Sequence, residues 1–177
     1  MSQKLRPPVG GNDHVQGAAT APLELVEYGD YQCPHCGRAY PIIKRIQTAL
    51  GQDLKFVFRN FPLSEAHPQA FQAAVATEAA AKQKAFWAMH DIIFENQASL
   101  EELPFVEFAK LLGLDVERFE KDLDDPVLPE KVDADFASGI RSGVNGTPTF
   151  FINGVRYDES WEEKTFLAQL KKVLAKI

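Results

Sequence analysis

The sequence predicts an α/β fold that is interrupted by an inserted all-helical subdomain. Strand, helix and strand patterns follow one another over residues 22–61, helical patterns dominate over 68–142, and β-rich patterns return after residue 147. This order predicts one α/β domain built from two separated parts of the chain. The expected boundaries are a flexible N-terminal tail over 1–20, the α/β domain over 21–62 and 144–177, and the helical insertion over 63–143.

The first predicted unit is a strand, a helix and a second strand. The stretch PLELVEYGD is rich in β-formers and ends at Gly29-Asp30. From Pro34 apolar residues recur at three- and four-residue steps, which indicates a helix that stops at Gly51 and contains Pro41. In the stretch LKFVFRNF, Leu54, Phe56 and Phe58 alternate with Lys55, Val57 and Arg59. This alternation predicts a strand. Two strands joined through a helix predict a parallel pair.

The rest of the chain is predicted to be a helical insertion, a hairpin and a final helix. The alanine-rich stretch PQAFQAAVATEAAAKQ and several amphipathic stretches fill the insertion, which ends at Gly143. Asn153-Gly154 lies between two β-rich runs and predicts a tight hairpin turn. Ser160 and Glu163 have the spacing of a capping box, ahead of a last helix with one apolar face.

Composition and charge exclude several classes of protein. The net charge of −6 comes from the segment 115–135, where nine acids face three bases, and it predicts a solvated helical face. No basic stripe is present, so a nucleic-acid partner is not expected. No stretch approaches the roughly 20 apolar residues of a membrane span. Because no apolar run precedes residue 22, no signal peptide is predicted. The chain is expected to be cytoplasmic as written, or periplasmic if it is a mature form whose signal was removed.

Both cysteines of the chain lie in the motif CPHC, as Cys33 and Cys36. Cys33 is predicted at the start of a helix, where unpaired N–H groups and the helix dipole favour an exposed, reactive thiolate of lowered pKa. Cys36, one turn further on, is expected to be more buried and able to attack a mixed disulfide on Cys33. Pro34 suits the first helical turn, and a charged His35 would further stabilise the thiolate.

The alternative for this motif is half of a zinc site. Zinc needs four ligands, usually with a second pair at similar spacing, and the chain has no second CxxC. The other histidines, His14, His67 and His90, are far apart in the sequence. No metal and no other cofactor is therefore expected, and the disulfide itself is the predicted redox centre.

Four features together resemble one family: CPHC, the preceding stretch LELVEYGDYQ, the helical insertion and the later GTPTFF. Over roughly residues 20–177 the chain is similar to the DsbA family of thiol:disulfide oxidoreductases, which has a thioredoxin-like fold. The resemblance implies that Glu27, six residues before Cys33, is a buried acid that assists proton transfer at Cys36. It also implies that Thr147-Pro148 is the cis-proline loop, which lies against the CxxC and receives the substrate backbone.

The expected function is a thiol:disulfide oxidoreductase that exchanges a Cys33–Cys36 disulfide with protein or peptide thiols and disulfides. The chain is expected to be a monomer, and a redox partner is expected to recycle the CxxC pair. Three alternatives stay open on the same fold: a metal-binding or chaperone-like interaction protein, a disulfide isomerase, and a reductase, since direction depends on the potential of the pair against that of its surroundings. Tyr31 is expected to be exposed and available to substrate, whereas His67 and His90 are expected to be structural.

Overall fold

The computed structural model describes residues 3–102 and 104–177. Within them, five strands form one sheet in the order β1-β3-β2-β4-β5, and helices lie between and after the strands, which confirms the predicted α/β fold class. The strands are β1 His14–Gly17, β2 Leu23–Gly29, β3 Leu54–Asn60, β4 Thr149–Ile152 and β5 Val155–Tyr157. The α-helices are α1 Pro34–Leu50, α2 Ala70–Ala81, α3 Phe86–Glu95, α4 Phe105–Leu111, α5 Val116–Leu123, α6 Val127–Arg141 and α7 Glu163–Leu174.

The pairing of the strands follows the predicted order of elements. β2 and β3, which α1 joins, are parallel, and β4 is antiparallel to β2. β4 and β5 form the predicted hairpin. Asn153 and Gly154 both have positive φ values, 47° and 76°, which is the geometry that a two-residue hairpin turn requires. Helices α2 to α6 lie between β3 and β4 in the chain.

The segment predicted as a flexible tail is instead part of the sheet. β1 pairs antiparallel with β3 at one edge, and Lys4 forms a bridge to Val155 at the opposite edge. Between these points, the Arg59 guanidinium on β3 forms an ion pair with Asp13, with Nε 2.8 Å from Oδ1. The sequence did not predict this strand, because the segment is rich in glycine, proline and polar residues and has no apolar pattern. Backbone pairing and one buried ion pair hold it in place.

The two faces of the sheet carry separate apolar cores. One face packs against α1 and α7 and continues into the helices of the insertion. Its strand side chains are Leu23, Leu25, Leu54, Phe56, Phe58, Phe150 and Ile152. The other face packs around Val26, Val57 and Phe151 and is covered by Leu5 and by Phe136 of α6. Because side chains alternate along a strand, Glu27 lies on the same face as Leu25, towards α1.

The last helix begins later than the capping pattern predicts. α7 starts at Glu163, and its N-cap is Glu162. The Ser160 hydroxyl accepts a hydrogen bond from the Glu162 N–H at 3.2 Å, so it closes a local turn before the helix and does not form the predicted capping box. None of the described helices combines the length and the apolar character that crossing a membrane requires.

Candidate active site

Cys33 occupies the N-cap of α1, directly after the turn that follows β2. Its N–H donates to the Asp30 carbonyl at 3.2 Å, and its own carbonyl accepts from the Gly37 N–H at 3.0 Å. The Cys33 Sγ lies 3.5 Å from the Thr147 carbonyl oxygen, so the loop before β4 lies over the sulfur. Both cysteines are free thiols. Cys33 is only 4% exposed, which corrects the expectation of an exposed sulfur, although Cys36 is at 0%.

The Cys33 thiol is strongly acidified by its surroundings. A hydrogen bond from the Cys36 side chain is the largest influence that lowers its pKa, and burial opposes this effect. The Thr147 side chain and the main-chain N–H groups of Cys36 and His35 add further hydrogen bonds. Together they lower the pKa of Cys33 from 9.0 to about 5. The thiolate is therefore the prevailing form of Cys33 at neutral pH.

Cys36 has the opposite character. Burial raises the pKa of its thiol well above 9.0, and the hydrogen bond to Cys33 and the charge of Glu27 raise it further. The Asp30 N–H donates to the Cys36 Sγ at 3.4 Å. The two sulfurs of the motif thus differ sharply: one is a stabilised anion, and the other is a buried neutral thiol that donates to it.

Glu27 lies in the middle of β2 and is 3% exposed. It stands in register with Phe58 on β3 and Phe150 on β4. Burial, followed by the charge of Cys33, raises the pKa of the Glu27 carboxyl from 4.5 to about 8. The position is therefore a buried carboxylic acid, mostly protonated at neutral pH, and not a carboxylate at a solvated strand edge.

The loop before β4 forms the other side of the site. The Thr147–Pro148 peptide bond is cis. The Thr147 Oγ1 is buried and makes no other hydrogen bond among the described residues, so its hydroxyl is available to the neighbouring Cys33 sulfur. Pro34 and His35 are exposed at the start of α1, and the His35 main-chain N–H is the His35 group that contributes to the pKa of Cys33.

Two residues of the site escaped the sequence analysis. Asp30 was interpreted only as the end of a strand, but its buried carboxylate accepts hydrogen bonds at the start of α1. Gln97, in the short 3-10 helix after α3, donates from its Nε2 to the carbonyls of Tyr31 and Cys33, both at 2.9 Å. A Cβ at Gly37 would collide with the Gln97 amide, so glycine at that position is the one local sign of this contact.

Tyr31 is 1% exposed, contrary to the prediction that it is available to substrate. Its ring packs against Phe58 and Phe94, and its hydroxyl lies 3.0 Å from the His90 Nδ1. Tyr31 and His90 therefore join the active-site turn to α3, inside an aromatic cluster. Among the described residues, no group of three or more His, Cys, Asp or Glu side chains is placed to hold a metal ion.

The comparisons with known proteins agree with this geometry. A family model described as Thioredoxin matches residues 10–172. The chain belongs to the thioredoxin family. Among solved structures, this thioredoxin-family chain is similar to oxidised BdbD from Bacillus subtilis, with 25% identity, a TM-score of 0.84, and coverage of 99% of this chain and 98% of that one. It is also similar to Pseudomonas aeruginosa DsbA2, with 28% identity, a TM-score of 0.78, and coverage of 95% and 97%.

These likenesses confirm three predictions for this thioredoxin-family chain: the similarity to the DsbA proteins, the thioredoxin-like fold, and the enzyme class. The class is that of protein-disulfide oxidoreductases, which work by dithiol–disulfide exchange. The CxxC spacing of Cys33 and Cys36 at the start of α1 fits this chemistry.

Curated relatives of this thioredoxin-family chain carry a different name. The Na+/H+ antiporter NhaA 1 of Mycolicibacterium vanbaalenii is 41% identical over 170 residues, which are 94% of this chain and 27% of the relative. The Na+/H+ antiporter NhaA of Herminiimonas arsenicoxydans is 42% identical over 168 residues, again 94% and 27%. The chain thus spans about a quarter of the length of these relatives. Most of each antiporter lies outside the match.

Proposed function

We propose that this chain is a thiol oxidase of DsbA type, which passes a Cys33–Cys36 disulfide to pairs of thiols in proteins or peptides. One observation carries the proposal: the pKa of Cys33 is lowered to about 5, whereas burial raises that of Cys36. A stabilised thiolate favours the reduced form of the pair. A disulfide whose reduced form is stabilised is a strong oxidant.

The first step of the proposed reaction transfers the disulfide to the substrate. A substrate thiolate attacks the Cys33 Sγ of the oxidised protein, and a mixed disulfide forms between the two. The Cys33–Cys36 bond breaks, and its electron pair leaves on the Cys36 sulfur. Because burial raises the pKa of Cys36, this sulfur takes up a proton. We assign Glu27 as the donor of this proton. Its carboxyl has a pKa raised to about 8, and its charge acts on Cys36.

The second step releases the oxidised substrate. A second substrate thiolate attacks the substrate sulfur of the mixed disulfide, a new disulfide forms within the substrate, and Cys33 leaves as a thiolate. Two electrons have then passed to the cysteine pair. Of the two substrate protons, one ends on Cys36 through Glu27 and one goes to solvent, because Cys33 remains deprotonated at neutral pH.

The remaining residues are assigned to substrate binding and thiolate stabilisation. The Thr147 carbonyl lies 3.5 Å from the Cys33 Sγ, so a substrate bonded to Cys33 would lie against Thr147 and Pro148. Exposed Pro34 and His35 border the same sulfur, and the His35 main-chain N–H helps to lower the pKa of Cys33. An oxidising role requires an oxidising compartment, such as the periplasm, and a second redox protein that reoxidises the pair.

The test is the reduction potential of the Cys33–Cys36 pair, measured by equilibration with glutathione. We expect a value near the roughly −120 mV of DsbA and far above the roughly −270 mV of thioredoxin. In parallel, Cys36→Ala removes the largest influence that lowers the pKa of Cys33, and it should raise that pKa by about one unit or more. The ultraviolet absorbance of the thiolate reports the titration. A potential near that of thioredoxin would contradict the assignment and favour a reductase.

A further inference from the structure

The turn between β2 and α1 is built around one buried carboxylate. Asp30 is 1% exposed, and its Oδ1 accepts from the main-chain N–H groups of Gln32 at 2.8 Å and Cys33 at 3.0 Å. Its Oδ2 accepts from the Leu63 N–H at 2.9 Å and lies 2.8 Å from the His67 Nδ1. Four donors on two oxygens suit a carboxylate anion, which can only accept.

Asp30 also contacts both reactive residues through its main chain. Its N–H donates to the Cys36 Sγ at 3.4 Å, and its carbonyl accepts from the Cys33 N–H at 3.2 Å. The main chain of Asp30 is therefore hydrogen-bonded to both cysteines of the motif. The orientation of Asp30 in turn depends on what holds its side chain.

His67 holds that side chain from the loop after β3. The His67 side chain is 19% exposed, whereas the Asp30 side chain that it contacts is fully buried, at 0%. A buried anion close to Cys33 disfavours a second anion on the sulfur, unless donors or a positive charge offset it. A His67 N–H donor supplies that offset, with a full positive charge whenever the ring is protonated.

We propose that His67 is a positioning residue for disulfide exchange, which acts through Asp30: it orients the Asp30 carboxylate and offsets its charge, so that the start of α1 can carry a thiolate on Cys33. The inference rests on the proposed function and extends its machinery to the loop after β3. It gives His67 a role in reactivity, beyond the structural role that the sequence indicates.

The first experiment compares His67→Leu with His67→Asn in the full chain. His67→Leu leaves the Asp30 anion without its side-chain donor, and we expect the pKa of Cys33 to rise by roughly half a unit to one unit. The disulfide should become less oxidising towards glutathione by roughly three- to tenfold, which is up to about 30 mV. His67→Asn can keep an N–H near the Nδ1 position and should recover at least part of the shift. Equal titrations of wild type and His67→Leu, with only a lower Tm, would reduce His67 to a structural residue.

The second experiment is a double-mutant cycle with Asp30→Asn. If His67 acts through the carboxylate, His67→Leu should leave the pKa of Cys33 unchanged in the Asp30→Asn background. A shift of the same size in both backgrounds would show that His67 acts on Cys33 directly, which contradicts the proposal. If Asp30→Asn does not fold, the comparison of His67→Leu with His67→Asn decides alone. Thiolate absorbance needs no substrate, so a failure of the proposed function would appear separately, as an inability to oxidise a peptide dithiol.

Discussion

The stability of the reduced protein relative to the oxidised protein is expected to rise with pH between about pH 5 and pH 9. The folded-state pKa of Cys33 is about 5, against an ordinary value of 9.0. An acid of lowered pKa contributes stability that is complete above its unfolded pKa and is lost as pH falls through its folded pKa. At about 1.4 kcal/mol for each unit, the difference between the two forms should grow by about 2 kcal/mol from pH 5 to pH 7. Cys36 contributes little in this window, because an acid of raised pKa costs stability only as pH rises past its unfolded pKa, which is 9.0 for this thiol.

Urea unfolding of the reduced and oxidised forms at several pH values measures this difference. The matched control is Cys33→Ser, which has no acidic thiol at this position, so its pH profile should lack the Cys33 contribution and run parallel to that of the oxidised wild type. Glu27 titrates in both forms, so the part of its pKa shift that comes from burial cancels in the comparison. Parallel pH profiles for the reduced and oxidised wild type would show that the Cys33 thiolate is not stabilised in the folded protein.

Glu27→Gln is expected to make the protein more stable and less active at neutral pH. The pKa of Glu27 is raised from 4.5 to about 8, so the unfolded chain releases this proton well before the folded chain does. A raised acid loses stability as pH rises from its unfolded pKa to its folded pKa, here between pH 4.5 and about pH 8. Gln keeps the shape of the side chain and does not ionise. At pH 7 the gain in free energy of unfolding should be about 3 kcal/mol, and it should vanish near pH 4.

The activity of the same variant tests the proton transfer assigned to Glu27. Without an acid next to Cys36, oxidation of a peptide dithiol should slow by about tenfold or more near neutral pH. Glu24→Gln is the matched control on the same strand: Glu24 pairs with the Lys55 Nζ at 3.0 Å on the opposite face of the sheet. Glu24→Gln should change the exchange rate and the pH dependence of stability much less than Glu27→Gln does. A Glu27→Gln protein that is less stable than wild type at pH 7 would contradict the burial argument.

The elements that repeat a local pattern could be predicted from the sequence. The apolar steps after Pro34 gave α1 its start and end, and Asn153-Gly154 located the hairpin, because helix periodicity and turn chemistry are properties of neighbouring residues. β1 escaped prediction for the converse reason. Its stability comes from pairing with β3, some 40 residues away, and from the ion pair between Asp13 and Arg59, and neither leaves a local pattern.

The candidate site divides in the same way. The CxxC motif identified the two reactive cysteines, and the family resemblance predicted Glu27 and the Thr147–Pro148 loop as parts of the site. The residues that surround the motif, Asp30 with its partner His67 and Gln97, meet it only through tertiary contacts. The near burial of Cys33 also depends on a distant loop. Sequence spacing therefore located the reacting atoms, whereas the contacts that tune them arise only when separate parts of the chain come together.

The N-terminal segment that joins the two sheet edges has a consequence for how the sheet opens. Lys4 lies beside Val155 at one edge and β1 lies on β3 at the other, while the stretch between them crosses one face of the sheet and binds Arg59. A sheet normally frays independently at its two outer strands. Here the N-terminal segment pairs with both edges of the sheet. Release of the segment from one edge should therefore weaken its pairing with the other edge. The amide protons of β1 and β5, although they lie at opposite ends of the sheet, should therefore exchange with solvent in a single cooperative event.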